Sequence, residues 1–132
     1  MSKDQDLKSD TWRAGVQVRR QVLGDEYVDR ALASTDDFSA DLQDYLNEHA
    51  WGATWARPGL ELKTRSIINL GMLVALNRPH ELEIHIRGAL RNGVTRDELK
   101  EILLHTAVYC GAPAALDAFR VARRVLSEQP GS

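Results

Sequence analysis

The sequence predicts an all-α protein, and three observations carry that expectation. Apolar residues recur at helical spacing along most of the chain. No segment alternates apolar and polar residues between turn signals, as a half-buried strand would. Gly, Pro and short polar residues stand where helix stops and starts are needed. Six or seven helices are expected, in a single domain spanning 1–132. A chain of 132 residues is long enough to build one hydrophobic core.

The first helix is expected over "TWRAGVQVRRQVLG", with Val16, Val18, Val22 and Leu23 on or near one stripe and Gly24 as the stop. A short helix follows from Asp25 to about Ala33. "STDDFSADLQDYLNEHAWG" begins with capping residues and sets Phe38, Leu42, Tyr45, Leu46 and His49 at helical spacing. "ATWARPGLEL" contains Arg-Pro-Gly and reads as a turn or loop. From Lys63 to Asn77 the chain is nearly all apolar after Ser66, which predicts a buried central helix. So apolar a helix in so short a chain needs cover, and an oligomer would supply some of it. Pro79 opens the next helix and "RNG" closes it at Gly93. Thr95 and Glu98 are spaced as a capping box ahead of "LKEILLHTAVY". Pro113 starts the last helix, "AALDAFRVARRVL". The ends, before about Ser9 and after Glu128, read as frayed tails.

Composition narrows the function classes. Apolar residues make up 43% of the chain and charged residues 27%, with a formal net charge of −2. That balance gives no field to recruit nucleic acid or an anionic membrane. No apolar run approaches the roughly 20 residues that span a bilayer, and "MSKDQDLKSD" lacks the apolar centre of a secretion signal. A single cysteine forms no internal disulfide, which suits a reducing cytoplasm.

Ionisable groups concentrate on the helix opened by Pro79. Leu82, Ile86, Ala89 and Leu90 form its core stripe, and His80, Glu83, Arg87 and Arg91 fall on a face expected to meet solvent. Glu81, His85 and Gly88 share a third face. A carboxylate one turn from an imidazole tunes its proton affinity, which suits a general acid or base. The same spacing also occurs in ordinary packed helices. His49 and His105 read as buried structural histidines. No H-E-x-x-H and no cysteine pair is present, so no metal is expected. "EHAWGATWARPGLELKTR" sets Trp51 and Trp55 beside Arg57, Lys63 and Arg65. Aromatic walls with cations suit a small planar anion, although core tryptophans with surface cations are common. The lone Cys110, in "VYCGAPAAL", reads as small apolar filler at a helix end.

Taken together, "EHAWGATWARPGLELKTRS", "ALNRPHELEIHIRGALRNGVTRDELKEILLH" and "VYCGAPAALDAF" resemble the carboxymuconolactone decarboxylase family over about residues 36–127. The resemblance implies an alkylhydroperoxidase-D-like orthogonal bundle, commonly a hexamer. It implies a cofactor-free decarboxylase that converts a small anionic lactone, 4-carboxymuconolactone, to the β-ketoadipate enol-lactone in protocatechuate degradation. The related peroxidases carry E-x11-C-x2-C-x3-H. With the final His on His85, this sequence has Ser66, Arg78 and Glu81 at the glutamate and cysteine positions. A thiol peroxidase using Cys110 would need an outside resolving thiol. That activity and a catalytically silent scaffold are the alternatives. On the decarboxylase reading His85 supplies a proton or a hydrogen bond and Glu81 orients it. Arg57, Arg65 and Arg78 are candidates for the substrate's carboxylates, Trp51 and Trp55 for the pocket wall, and Tyr109 for a second donor. If the Glu81 charge dominates, His85 stays protonated and delivers the proton as imidazolium.

Overall fold

The computed structural model describes residues 7–128. The expected tails lie, up to residue 6 and from residue 129, outside the described residues. Those described form seven α-helices and one π-helix, with no strand: α1 (Asp10–Leu23), α2 (Asp25–Ala33), α3 (Ala40–Tyr45), the π-helix (Leu46–Trp55), α4 (Leu62–Ala75), α5 (Pro79–Arg91), α6 (Arg96–Tyr109) and α7 (Ala112–Ser127). They fall into two compact units, parted between Glu61 and Leu62.

In the first unit, α1 starts at Ser9, whose hydroxyl accepts from the Trp12 N–H at 3.0 Å and donates to Glu48 at 2.9 Å. Lys8 and the Trp12 indole both reach the Asp44 carboxylate, at 2.8 and 3.2 Å, and so fix α1 to α3. The buried stripe of α1 is Trp12, Gly15, Arg19, Val22 and Leu23. Only Val22 and Leu23 of the expected stripe are fully buried, because the helix turns its glycine toward the π-helix. A Cβ on Gly15 would meet the Asn47 carbonyl oxygen at 1.8 Å, and one on Gly52 would meet the Thr11 carbonyl oxygen at 2.2 Å. The two helices therefore touch backbone to backbone, which only a residue without Cβ permits.

The stretch expected as one amphipathic helix breaks into α3 and the π-helix, and its apolar stripe faces the wrong way. Phe38 is 95% exposed, and Leu42, Tyr45 and His49 are exposed too; Asn47 and Trp51 are buried instead. The wider π turn rotates side chains from Leu46 onward off the 3.6-residue stripe, His49 among them, while Phe38, Leu42 and Tyr45 precede it and are exposed on α3 and its approach. The loop read from Ala53 onward starts later for the same reason, after the π-helix closes through Ala56 N–H to Trp51 O at 2.9 Å.

In the second unit, four helices share one core. Leu70 and Val74 of α4, Leu82, Ile86 and Ala89 of α5, Val94, Leu99 and Leu103 of α6 and its approach, and Ala118, Val121, Ala122 and Val125 of α7 form a single buried cluster. Burying each large aliphatic side chain contributes about 1.5–3 kcal/mol. The turn after α4 closes through Arg78 N–H to Leu73 O at 3.0 Å, with Asn77 in the left-handed region (φ 56°), a conformation asparagine tolerates. The capping box forms as read: Glu98 N–H to Thr95 Oγ1 at 3.0 Å and Thr95 N–H to Glu98 Oε1 at 2.9 Å.

α4 is not buried all round. Its fully buried positions are Ser66, Leu70 and Val74, four residues apart, while Ile68, Met72 and, just past its end, Leu76 are exposed. The face of α5 expected in solvent is tied down in part. Arg87 donates to Glu128 at 2.8 and 3.1 Å, and Glu83 accepts from Arg124 at 3.3 Å, linking α5 to α7.

Candidate functional site

α5 carries the ionisable residues that the sequence singles out. Proline in its first turn fits, since that position needs no donor N–H. Its apolar stripe of Leu82, Ile86 and Ala89 is buried in the four-helix core, with Leu90 packed against it. That anchoring sets the direction of the remaining residues. Arg78 stands immediately before the helix; Glu81 and His85 follow three and seven residues later, so all three fall near one face. Arg78 and Glu81 are exposed, His85 is half-buried, and Gly88, next on that face, is buried.

His85 is the least exposed of the four histidines. Burial pushes its pKa down from 6.5 to about 4, and the Glu81 charge opposes this without overcoming it. Of the two opposing influences burial wins, and the imidazole is neutral at physiological pH. A carboxylate in exposed surroundings is screened by water, whereas loss of hydration acts on the ring directly. His49 and His105, expected to be buried, are exposed. They pair with rings one turn away, Tyr45 at 4.5 Å and Tyr109 at 5.1 Å between centroids.

Two cations bracket α5 within its unit. Arg78 is at its N-terminal end. At its C-terminal end the Asn92 amide donates to the buried Ser66 hydroxyl at 2.8 Å, which brings the first turns of α4, with half-buried Arg65, alongside. Tyr109 ends α6 and is exposed. Cys110 caps α6, half-buried against the core cluster, in keeping with a packing role.

The remaining predicted residues belong to the first unit. Trp51 is buried and Trp55 half-buried, with rings stacked at 5.0 Å between centroids and 26° between planes. Arg57 follows the π-helix and is exposed. The structure thus stacks Trp51 on Trp55 in one unit and sets Glu81 within electrostatic reach of His85 in the other, with Arg78 two turns from His85 along α5.

Sequence reasoning missed the buried polar cluster under α1. Arg19, 5% exposed, donates to Gln43 at 2.9 Å and Asn47 at 3.0 Å, and desolvation lowers its pKa. The signal was available, because Arg19 sits within the Trp12–Gly15–Val22 stripe. Among the described residues no three His, Cys, Asp or Glu side chains gather as metal ligands would, and no helix is long and apolar enough to cross a membrane.

An all-helical chain that sets a half-buried imidazole one turn from a carboxylate holds groups able to donate or share a proton. Residues 40–124 match the carboxymuconolactone decarboxylase family, and the chain belongs to that family. A 4-carboxymuconolactone decarboxylase of Acinetobacter baylyi is 43% identical over 117 residues, covering 89% of this chain and 87% of that protein. A nitrosuccinic acid decarboxylase of Metarhizium robertsii is 43% identical over 114 residues, covering 86% and 80%. A 4-carboxymuconolactone decarboxylase of Pseudomonas putida is 51% identical over 39 residues, 30% of this chain and 81% of that sequence.

Proposed function

We propose that the protein decarboxylates 4-carboxymuconolactone to the β-ketoadipate enol-lactone, within protocatechuate degradation and without a cofactor. The observation that carries this reading is His85, kept neutral by burial on the helix face it shares with Glu81, in a chain of this family. The substrate is a butenolide with a carboxylate on its γ-carbon and an acetate arm. When the bond to CO2 breaks, its electron pair moves through the ring double bond into the lactone carbonyl. The product of that step is a furan-like oxyanion, so the ring is its own electron sink.

A neutral imidazole N–H facing that oxygen stabilises the charge as it forms, without being a strong acid. Glu81 orients the ring from one turn away. The α-carbon takes its proton from water at the exposed Glu81 end of the face. Arg78 is the first choice to hold the acetate arm, with Arg65 of the same unit as a further candidate. Tyr109, also in that unit, is a second donor. We take the catalytic domain to be a single one, a reading that the family match across the Glu61–Leu62 boundary supports.

The working form is a cytoplasmic homo-oligomer, a hexamer on the family pattern. The exposed stripe of Ile68, Met72 and Leu76, with Leu104 and Val108 of α6, is apolar surface that other copies would cover.

The test is to incubate purified protein with 4-carboxymuconolactone and follow CO2 release and enol-lactone formation. Turnover well above the spontaneous rate is expected. Nitrosuccinate is the comparison substrate, because its nitro group would accept the same electron pair. Preferential turnover of nitrosuccinate would replace the lactone as substrate and keep the decarboxylation chemistry. No turnover of either would sink the reading.

A further inference from the structure

A groove of about 560 Å³ runs between α6 and α7, lined by none of the residues assigned above to decarboxylation. Its volume falls within the roughly 300–1,000 Å³ of small-molecule pockets. The floor is apolar. Phe119 and Leu126, half-buried and two turns apart along α7, form its open surface, above Leu99, Leu103 and Ala122 of the buried core. The apolar strip therefore follows the α7 axis, a shape that suits a linear chain better than a flat ring.

The rim carries Arg96, Lys100 and Arg123 against one acid, Asp97, all exposed. Other arginines of this unit are neutralised: Arg120 by Asp117 at 2.6 Å, Arg87 by Glu128 at 2.8 Å and Arg124 by Glu83 at 3.3 Å. Among the described residues the three rim cations make no ion pair. Arg96 and Lys100 sit one turn apart on α6, and Arg123 belongs to the facing wall on α7. Three cations offset by one carboxylate suit a head group of low negative charge rather than a polyphosphate.

We propose that this groove binds an amphiphilic monoanion, a carboxylate on a linear alkyl chain. The tail lies along Phe119 and Leu126, and the carboxylate meets Lys100 and Arg123. The site is distinct from the α5 face and independent of which lactone the enzyme converts.

Calorimetric titration of the full-length protein with sodium decanoate, kept below its micelle concentration, tests this. Saturable binding of one decanoate per chain is expected. The double variant Lys100→Glu/Arg123→Glu, with its fold checked by circular dichroism, should bind at least about tenfold more weakly, the worth of one charge-assisted contact. Arg120→Glu, outside the groove on the same helix, should bind as wild type does. Decyltrimethylammonium, with the same tail and a cationic head, should not bind. The proposal is overturned by absence of saturable binding at millimolar decanoate, by wild-type affinity in the double variant, or by equal binding of the cationic analogue. Competition between decanoate and the lactone in turnover would overturn it as well, by making the groove part of the decarboxylase site.

Discussion

The α-carbon of Gly15 rests on the carbonyl oxygen of Asn47, so closely that a Cβ atom would stand 1.8 Å from it. The atom in the way is backbone, on a helix that Gly52 holds equally close to Thr11. Gly15→Ala would gain about 1 kcal/mol of helix propensity. Forcing the helices apart costs about 1–3 kcal/mol, and the contact here is at the severe end of that range. The variant should therefore be less stable, with a lower urea midpoint. An unchanged or raised midpoint would show that α1 and the π-helix do not meet this closely.

Much of the fold was legible because its signals are local. Gly24, Pro79, Gly93 and the Thr95/Glu98 pair mark helix ends by backbone chemistry that needs no partner, and all four function as read. The π-helix was not legible. Its wider turn arises where α1 approaches Gly52 and where Asn47 meets Arg19, contacts between segments distant in sequence. The exposed side of α4 was legible only as a need for cover, since an apolar composition does not say which molecule supplies it. On α5 the grouping of Glu81 with His85 followed from spacing alone. The charge state of His85 did not, because it depends on how much water the tertiary packing removes.

Acid should weaken the protein through His85. Its folded pKa of about 4 lies below the ordinary 6.5. Between those values the unfolded chain binds a proton that the folded chain refuses. Stability is therefore fully present above pH 6.5 and is lost as pH falls toward 4, by at most roughly 3 kcal/mol. In His85→Gln this part of the pH dependence should vanish. Activity should follow the same titration, with kcat/KM level from pH 6 to 8 and falling below with an apparent pKa near 4. A rate that instead rises as pH drops through this range would mean that the imidazolium is the active form.

Assembly should depend on the exposed stripe of α4. Wild type should scatter light as a particle several times the 14.8 kDa chain mass. Met72→Glu puts a charge in the middle of the Ile68–Met72–Leu76 stripe, where burial without a partner is costly. Its mass should fall while the helical circular dichroism is kept. A wild-type monomer that turns over the lactone would remove the need for assembly.

Cys110 should be dispensable for chemistry. Cys110 caps α6 through its backbone N–H to the Thr106 carbonyl, and the residue packs against the core cluster. Cys110→Ser should keep decarboxylase activity within about threefold and lose about 1 kcal/mol of stability, from a hydroxyl placed on an apolar surface. Wild type should reduce hydroperoxides no faster than an unactivated thiol. Rapid peroxide turnover lost in Cys110→Ser would favour the peroxidase alternative.

His85 itself separates two kinds of catalysis. As a neutral N–H donor to the lactone oxygen, it should be worth roughly 10²–10³ in kcat, the usual effect of one oxyanion donor. His85→Ala removes the donor and should lose that factor with little change in KM, since the interaction strengthens only as charge develops. His85→Gln keeps an N–H near the same position and cannot relay a proton. It should recover most of the activity that Ala loses. If Gln is as poor as Ala, the ring must transfer a proton and the neutral-donor role fails. If both variants run near the wild-type rate with the fold intact by circular dichroism, the ring only packs, and the oxyanion donor must be sought elsewhere, beginning with Tyr109.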